Sequence, residues 1–172
     1  MTTYNRIEIT EGETEEPVTV EEAKAWMRVD YDDDNDLIEG MIKSARQSIE
    51  QFINLALVDK TVLIDVTTTC ETDNIRLPFI DTIEEIDIED IDGEDDVDVE
   101  NYKIRGAGVK VNYGGYFSIS YDIEPGEVPE GLKEAIKMEV AERYANRGEN
   151  NGTEGLSKSA QSKAAPFAQI WI

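Results

Sequence analysis

The feature that most constrains the fold is a change of hydrophobic period along the chain. Apolar residues first recur every three or four positions, the spacing of an amphipathic helix, at Leu37, Ile38, Met41, Ile42, Ala45, Ile49, Phe52 and Ile53. From about residue 61 to 124 they instead alternate with polar residues between glycine-containing turns, as in short antiparallel strands. The helical period then returns. The sequence therefore predicts an α+β fold, mainly α, whose helical core carries an inserted small antiparallel β-sheet.

Local signals set the expected boundaries. Thr19, followed three positions later by Glu22, forms a capping box that predicts a first helix over about 19–29. We expect the second helix over about 33–56, and Pro129 favours a third over 129–147. Residues 149–172 are rich in Asn, Gly, Ser and Ala before an apolar end. We therefore expect a single domain over 1–148 and a flexible linker with an extended apolar tail over 149–172, loose from about Gly155.

Composition narrows the class of protein. A chain of 172 residues can bury enough apolar surface to fold without disulfides, and its single cysteine, Cys70, cannot form one internally. The first residues, MTTYNRIEITEGE, predict no secretory signal, and no apolar run predicts a membrane span. Histidine is absent, which removes histidine-based triads and most transition-metal sites. We expect no enzyme, no cofactor and no metal.

The net charge of the chain also narrows the class of protein. The formal net charge is -23, from 39 acidic and 16 basic residues. A surface of that sign repels phosphate backbones, so binding of nucleic acid in a basic groove is not expected.

An aspartate cluster at 30–36 invites comparison with a calcium-binding loop. If Asp30 were the first ligand, the sixth position would be Asn35 instead of glycine and the twelfth would be Met41 instead of glutamate. Starting at Asp32 fits less well. Helix capping and favourable placement of negative charge at a helix N-terminus explain the cluster better.

The stretch 81–100 is dense in Asp and Glu and contains no Lys or Arg. Its isoleucines and valines indicate an ordered strand instead of a disordered tail. A surface that faces DNA or a basic partner is one interpretation, and an ordinary solvated sheet face is the other. The candidate acidic surface consists of Asp87, Glu89, Asp90, Glu94, Asp95 and Asp96.

The last residues carry apolar side chains that suit anchors at a protein interface, at Phe167, Ile170, Trp171 and Ile172. They could fold back onto the core of their own subunit or dock into a neighbour. Both interpretations stay open at this point.

Four segments, in order, carry a resemblance to a known family. They are PVTVEEAKAWMRVD (17–30) with DNDLIEGMIKSAR (34–46), IRLP (75–78) with Asp92-Gly93, VNYGGY (111–116), and VPEGLKEAI (128–136) leading to ERYANRG (142–148). The chain resembles the phage head–tail connector family, the gp6-like adaptor or head-completion proteins.

The resemblance implies a ring of about twelve copies, built through repeated head-to-tail contacts. Its expected partners are the portal protein above, neighbouring copies of itself, and the next neck, stopper or tail protein below. DNA would pass through without specific binding, and no membrane would be involved. The protein would be made in the bacterial cytoplasm and reside in the neck of the virion. No catalytic residues come with this resemblance.

Two alternatives belong to other classes. The first is an acidic DNA mimic that inhibits a host DNA-binding protein, which would need carboxylates spaced like phosphates on one rigid face. The second is an enzyme, which the sequence favours least.

Overall fold

The computed structural model describes residues 1–12, 14–69, 74–79, 86–91, 93, 95–96, 102–105, 108–112, 114–147 and 155–168. The elements are β1 (Thr2–Glu11), α1 (Val20–Met27), α2 (Asn35–Ile53), β2 (Lys60–Thr68), β3 (Asn74–Arg76), β4 (Asp87–Asp90), β5 (Asp95–Asp96), β6 (Tyr102–Arg105), β7 (Gly108–Val111), β8 (Gly115–Ile123), α3 (Glu130–Ala145) and α4 (Lys158–Ala164), with a 3-10 turn at Ala165–Phe167. Helices together with antiparallel sheets confirm the predicted α+β fold.

The chain divides into two compact units. The first, which we call the β unit, comprises residues 1–14 and 58–125. The second, the helical unit, comprises residues 15–57 and 126–170. The insertion of strands between helical segments agrees with the change of hydrophobic period.

The described residues of the β unit form two antiparallel sheets, one ordered β1-β2-β8-β4-β5 and the other β3-β7-β6. In the larger sheet Val62 lies opposite Tyr121, and Ile64 lies opposite Ile119. Because side chains alternate between the two faces of a strand, these residues share one face, which we call the apolar face. Its central members, Val62, Ile64, Val66, Phe117 and Ile119, are fully buried. The other face, which we call the polar face, carries Asp65, Ser118 and Ser120.

Most of the predicted α2 stripe holds the helical unit together, but two of its predicted members, Leu37 and Phe52, are exposed. Ile38, Ile42, Ala45, Ile49 and Ile53 of α2 are buried against Leu132, Ala135, Ile136 and Val140 of α3 in one apolar cluster. The capping box is also present: Glu22 N–H donates to Thr19 Oγ1 at 3.2 Å, and Thr19 N–H donates to Glu22 Oε2 at 3.0 Å. The packing of α2 against α3 therefore forms the core of the helical unit.

Two elements were not predicted. The alternation in β1 is weak, and its pairing partner β2 lies far along the chain. Residues 155–168, expected to be extended and loose, instead contain α4. The physical reason is that Ser157 caps this helix through its Oγ, and Ala160 and Ala164, one turn apart, bury their methyl groups completely.

Candidate interaction surfaces

The predicted acidic surface lies in part on the polar face of the larger sheet. Ile88 of β4 is buried opposite Ile119, so its neighbours point the other way. Asp87 lies opposite Ser120 and Glu89 lies opposite Ser118, and both are exposed. The structure therefore brings these two predicted carboxylates together on the polar face.

The other predicted acidic residues are placed differently. Asp90 lies opposite the buried Phe117, and its Oδ1 accepts a hydrogen bond from Gly93 N–H at 3.2 Å, so its carboxylate closes a turn. Asp95 and Asp96 pair with β4 through the backbone, and their side chains are not described. Glu94 lies outside the described residues.

Carboxylates on neighbouring strands extend the acidic character of the polar face. Asp65 of β2 lies opposite Ser118, and Asp122 of β8 lies opposite Thr61. Glu8 of β1 shares this face, where it forms an ion pair with Arg6. This pair raises the pKa of the Arg6 guanidinium, chiefly through the hydrogen bond to Glu8. These additional carboxylates were not predicted, because they come from segments distant in the chain.

The segment around α4 is packed onto the helical unit. Leu156, Ala160 and Ala164 are buried in its core. The backbone N–H of Ser157 donates to Glu139 Oε2 at 2.9 Å. Lys163 Nζ lies 2.5 Å from Glu134 Oε2, and this hydrogen bond lowers the pKa of the Glu134 carboxyl.

Phe167 is half-buried and packs against the same apolar cluster. Its ring lies over Gly131 on α3, so close that a Cβ at position 131 would come within 2.9 Å of the Phe167 Cζ. Of the four predicted anchors, this one contacts its own subunit. Ile170, Trp171 and Ile172 lie outside the described residues, so their role stays a prediction.

A buried ion network fixes the start of the helical unit and was not predicted. Arg46 on α2 is 1% exposed. Its Nε and Nη2 donate to the two carboxylate oxygens of Glu16 at 2.8 and 3.1 Å, and its Nη1 donates to Glu50 Oε2 at 2.8 Å. Glu50 also accepts from the Leu57 N–H at 2.7 Å. The i,i+4 spacing of Arg46 and Glu50 was the available signal.

A second network joins three helices. Glu139 on α3 is 3% exposed and accepts from Arg143 Nε at 2.9 Å through its Oε1. Arg143 also donates to the hydroxyl groups of Ser44 and Ser48 on α2. Because the other oxygen of Glu139 holds the N-cap of α4, this network ties α2, α3 and α4 together.

The aspartate cluster before α2 is used for contacts within the protein. Lys24 Nζ donates to Asp32 Oδ1 at 2.6 Å, which lowers the pKa of Asp32. Asp34 stands at the N-cap position, but no side-chain capping bond forms. Instead its Oδ2 accepts from Tyr144 Oη at 2.6 Å and Arg147 Nη1 at 2.8 Å, and these bonds lower its pKa.

Within the described ranges, no group of three or more His, Cys, Asp or Glu is placed to hold a metal ion. No helix among these residues is long and apolar enough to cross a membrane.

Solved structures similar to this chain come from gene transfer agent (GTA) particles. A chain from "Neck of empty GTA particle computed with C6 symmetry" has a TM-score of 0.67 and 15% identity, covering 96% of this chain and 97% of that one. A chain from "Virion of native gene transfer agent (GTA) particle" has a TM-score of 0.65 and 16% identity, covering 95% and 96%. A chain from "Neck of native GTA particle computed with C12 symmetry" has a TM-score of 0.60 and 15% identity, covering 96% and 97%.

At these identities the structural likeness shows a shared fold. A search of curated protein sequences gave no match. The family model described as phage gp6-like head-tail connector protein matches residues 17–168. Because this match spans most of the sequence, from before α1 to the end of the 3-10 turn, the chain belongs to the phage gp6-like head–tail connector family.

Proposed function

We propose that this chain is the adaptor subunit of a tailed phage or prophage, several copies of which form a ring below the portal protein. The ring extends the DNA channel and offers a platform to the next neck, stopper or tail protein. The observation that carries this proposal is the family match over residues 17–168. The family is a structural one, which favours assembly over catalysis as the role of the chain.

The fold shared with GTA neck chains supports the ring. Two of those neck structures were computed with C6 and C12 symmetry, which is compatible with six or twelve copies around an axis. Subunits of such a ring make head-to-tail contacts that close by rotation. The buried networks around Arg46 and Glu139 suit this role, because a ring needs subunits that hold their shape.

Electron microscopy of the purified protein, alone and mixed with purified portal protein, tests the proposal. We expect rings, or portal particles that carry an additional ring. Portal particles that stay bare at every protein concentration, with the chain folded by circular dichroism, would contradict it.

We further propose that the polar face of the larger sheet, with Asp87 and Glu89, lines the channel or its mouth. DNA must slide through without sticking, and each Lys or Arg contact to phosphate would add affinity. A negative wall avoids such contacts. The exposure of both carboxylates on one face of β4 supports this proposal.

Charge reversal tests the orientation of this face. In assembled rings, Asp87→Lys with Glu89→Lys should make linear duplex DNA bind inside the ring. Glu21→Lys with Glu39→Lys, two exposed positions of the helical unit, is the matched control with the same change of net charge. Equal DNA binding by both variants would show that net charge, not position in the channel, governs the effect.

The proposal also assigns a role to the C-terminal tail. Ile170, Trp171 and Ile172 dock into the portal or a neighbouring subunit, whereas Phe167 holds the preceding segment on its own helical unit. Trp is among the residue types that contribute most to binding at protein interfaces, and the two isoleucines add apolar surface beside it.

A further inference from the structure

Among the residues that the structure describes, the strand β1 forms one edge of the larger sheet, with β2 as its neighbour in the strand order. It runs from Thr2 to Glu11 and pairs with β2 along its whole length, apart from a bulge between Tyr4 and Arg6. A long edge strand is a template for pairing with another chain unless something blocks or covers it. The family match begins only at residue 17, so β1 is outside the matched segment.

The apolar face of the sheet is incompletely covered at this edge. Ile7 lies opposite Ile64 and Ile9 lies opposite Val62. Ile64 and Val62 are 0% exposed, whereas Ile7 is 51% and Ile9 is 43% exposed. The apolar face therefore continues onto β1, where the side chains of Ile7 and Ile9 are about half exposed. An additional strand paired with β1 would cover them.

On the polar face, β1 carries a positive side chain just before Ile7 and a negative one just after it. Arg6 and Glu8 form an ion pair, and both side chains are 54% exposed. Their carboxylate and guanidinium groups are therefore accessible to a partner strand. In an antiparallel pair, residues directly opposite each other interact, and opposite charges favour the register that joins them.

We propose that β1 pairs antiparallel with β1 of a second copy of this chain, about a twofold axis at Ile7. In this register Arg6 lies opposite Glu8 of the second copy, and Glu8 lies opposite its Arg6. Ile7 meets Ile7 of the second copy on the apolar face. The contact is isologous, because each copy offers the same strand.

The charges select this register over its neighbours. An axis at Glu8 would place two glutamates opposite each other, and an axis at Arg6 would place two arginines opposite each other. A shift by one residue would set apolar side chains against the polar face. This twofold pairing is separate from the head-to-tail contacts of the proposed ring, and it concerns the free subunit.

Sedimentation velocity over a concentration series tests the pairing, with wild type, Arg6→Glu, Glu8→Arg, the double exchange R6E/E8R, and Ile7→Thr. We expect wild type to form a dimer, each single reversal to weaken it roughly tenfold through two like-charge pairs, and the double exchange to restore it. Ile7→Thr should weaken it through lost apolar burial. Circular dichroism and thermal unfolding check that each variant stays folded, as expected for exposed positions.

The two single reversals separate pairing from net charge. Because the chain carries a charge of -23, a general repulsion between copies would be relieved by Glu8→Arg and increased by Arg6→Glu. Pairing through β1 instead predicts that both weaken the dimer. A wild type that stays monomeric at all concentrations, a dimer strengthened by Glu8→Arg, or a double exchange without recovery would each overturn the proposal.

Discussion

At the scale of single residues, the guanidinium of Arg46 is a buried charge that depends on its ion pairs. It neutralises Glu50, which is 1% exposed. Arg46→Met keeps much of the side-chain volume but leaves this carboxylate without its cation, so we expect the free energy of unfolding to fall by about 3–5 kcal/mol. Chemical denaturation measures the change. Lys43→Met, at an exposed position on the same helix, is the matched control and should stay within about 0.5 kcal/mol of wild type.

Two glycines provide a second comparison at this scale. Gly40 lies within α2 with nothing near its virtual Cβ, so Gly40→Ala should raise the free energy of unfolding by about 0.5–1 kcal/mol. Gly131→Ala lies in the first turn of α3, where the gain in helix propensity is smaller, and it places its Cβ 2.9 Å from the Phe167 ring, so the gain should be lost. In a Phe167→Ala background the gain at 131 should return. An equal effect of Gly131→Ala in both backgrounds would mean that the ring is not held there.

At the scale of elements, Asp34 links the start of α2 to the end of α3 through Tyr144 and Arg147. These bonds depress the pKa of Asp34 below its ordinary value of 3.8, with the bond from Tyr144 as the main cause.

A depressed pKa stabilises the fold above the unfolded-state pKa, and this contribution disappears as the pH falls through the folded-state pKa. Because Asp34→Asn lacks the contribution, its unfolding temperature should lie below that of wild type at pH 7, and the gap should close below about pH 3.8. Asp33→Asn, next to it and exposed, is the control; a gap independent of pH would contradict the prediction.

Whether an element could be predicted depends on how far apart in sequence the residues are that form its contacts. The α2 stripe and the Thr19–Glu22 capping box are local, and both were read from sequence spacing. The alternation around Ile88 likewise implied that Asp87 and Glu89 share a face, but their neighbour Asp65 comes from β2 and only the fold places it there. The strand β1 was not predicted because its apolar residues alternate only weakly with polar ones. The helix α4 was not predicted because its segment is rich in Ala and Ser. Both elements are stabilised by contacts with residues distant in sequence.

At the scale of the whole molecule, the packing of Phe167 shows that the tail up to this residue stabilises its own subunit, so the proposed assembly role is confined to the residues that follow. Leu156, Ala160 and Ala164 hold α4 on the helical unit, and Phe167 follows on the same cluster. Removing residues 166–172 would therefore mix two effects, because it takes away a core contact together with the proposed anchors.

A shorter deletion separates them. Removing residues 169–172 leaves Phe167 on Gly131, so the unfolding temperature should equal that of wild type, whereas co-sedimentation with purified portal protein or with preformed rings should be lost. Trp171→Ala should reproduce most of the loss, since large aromatic anchors dominate interface energies. Removing residues 166–172 should additionally lower the unfolding temperature. Portal binding unchanged by the short deletion would contradict the proposed anchors and would show that the chain attaches through other residues.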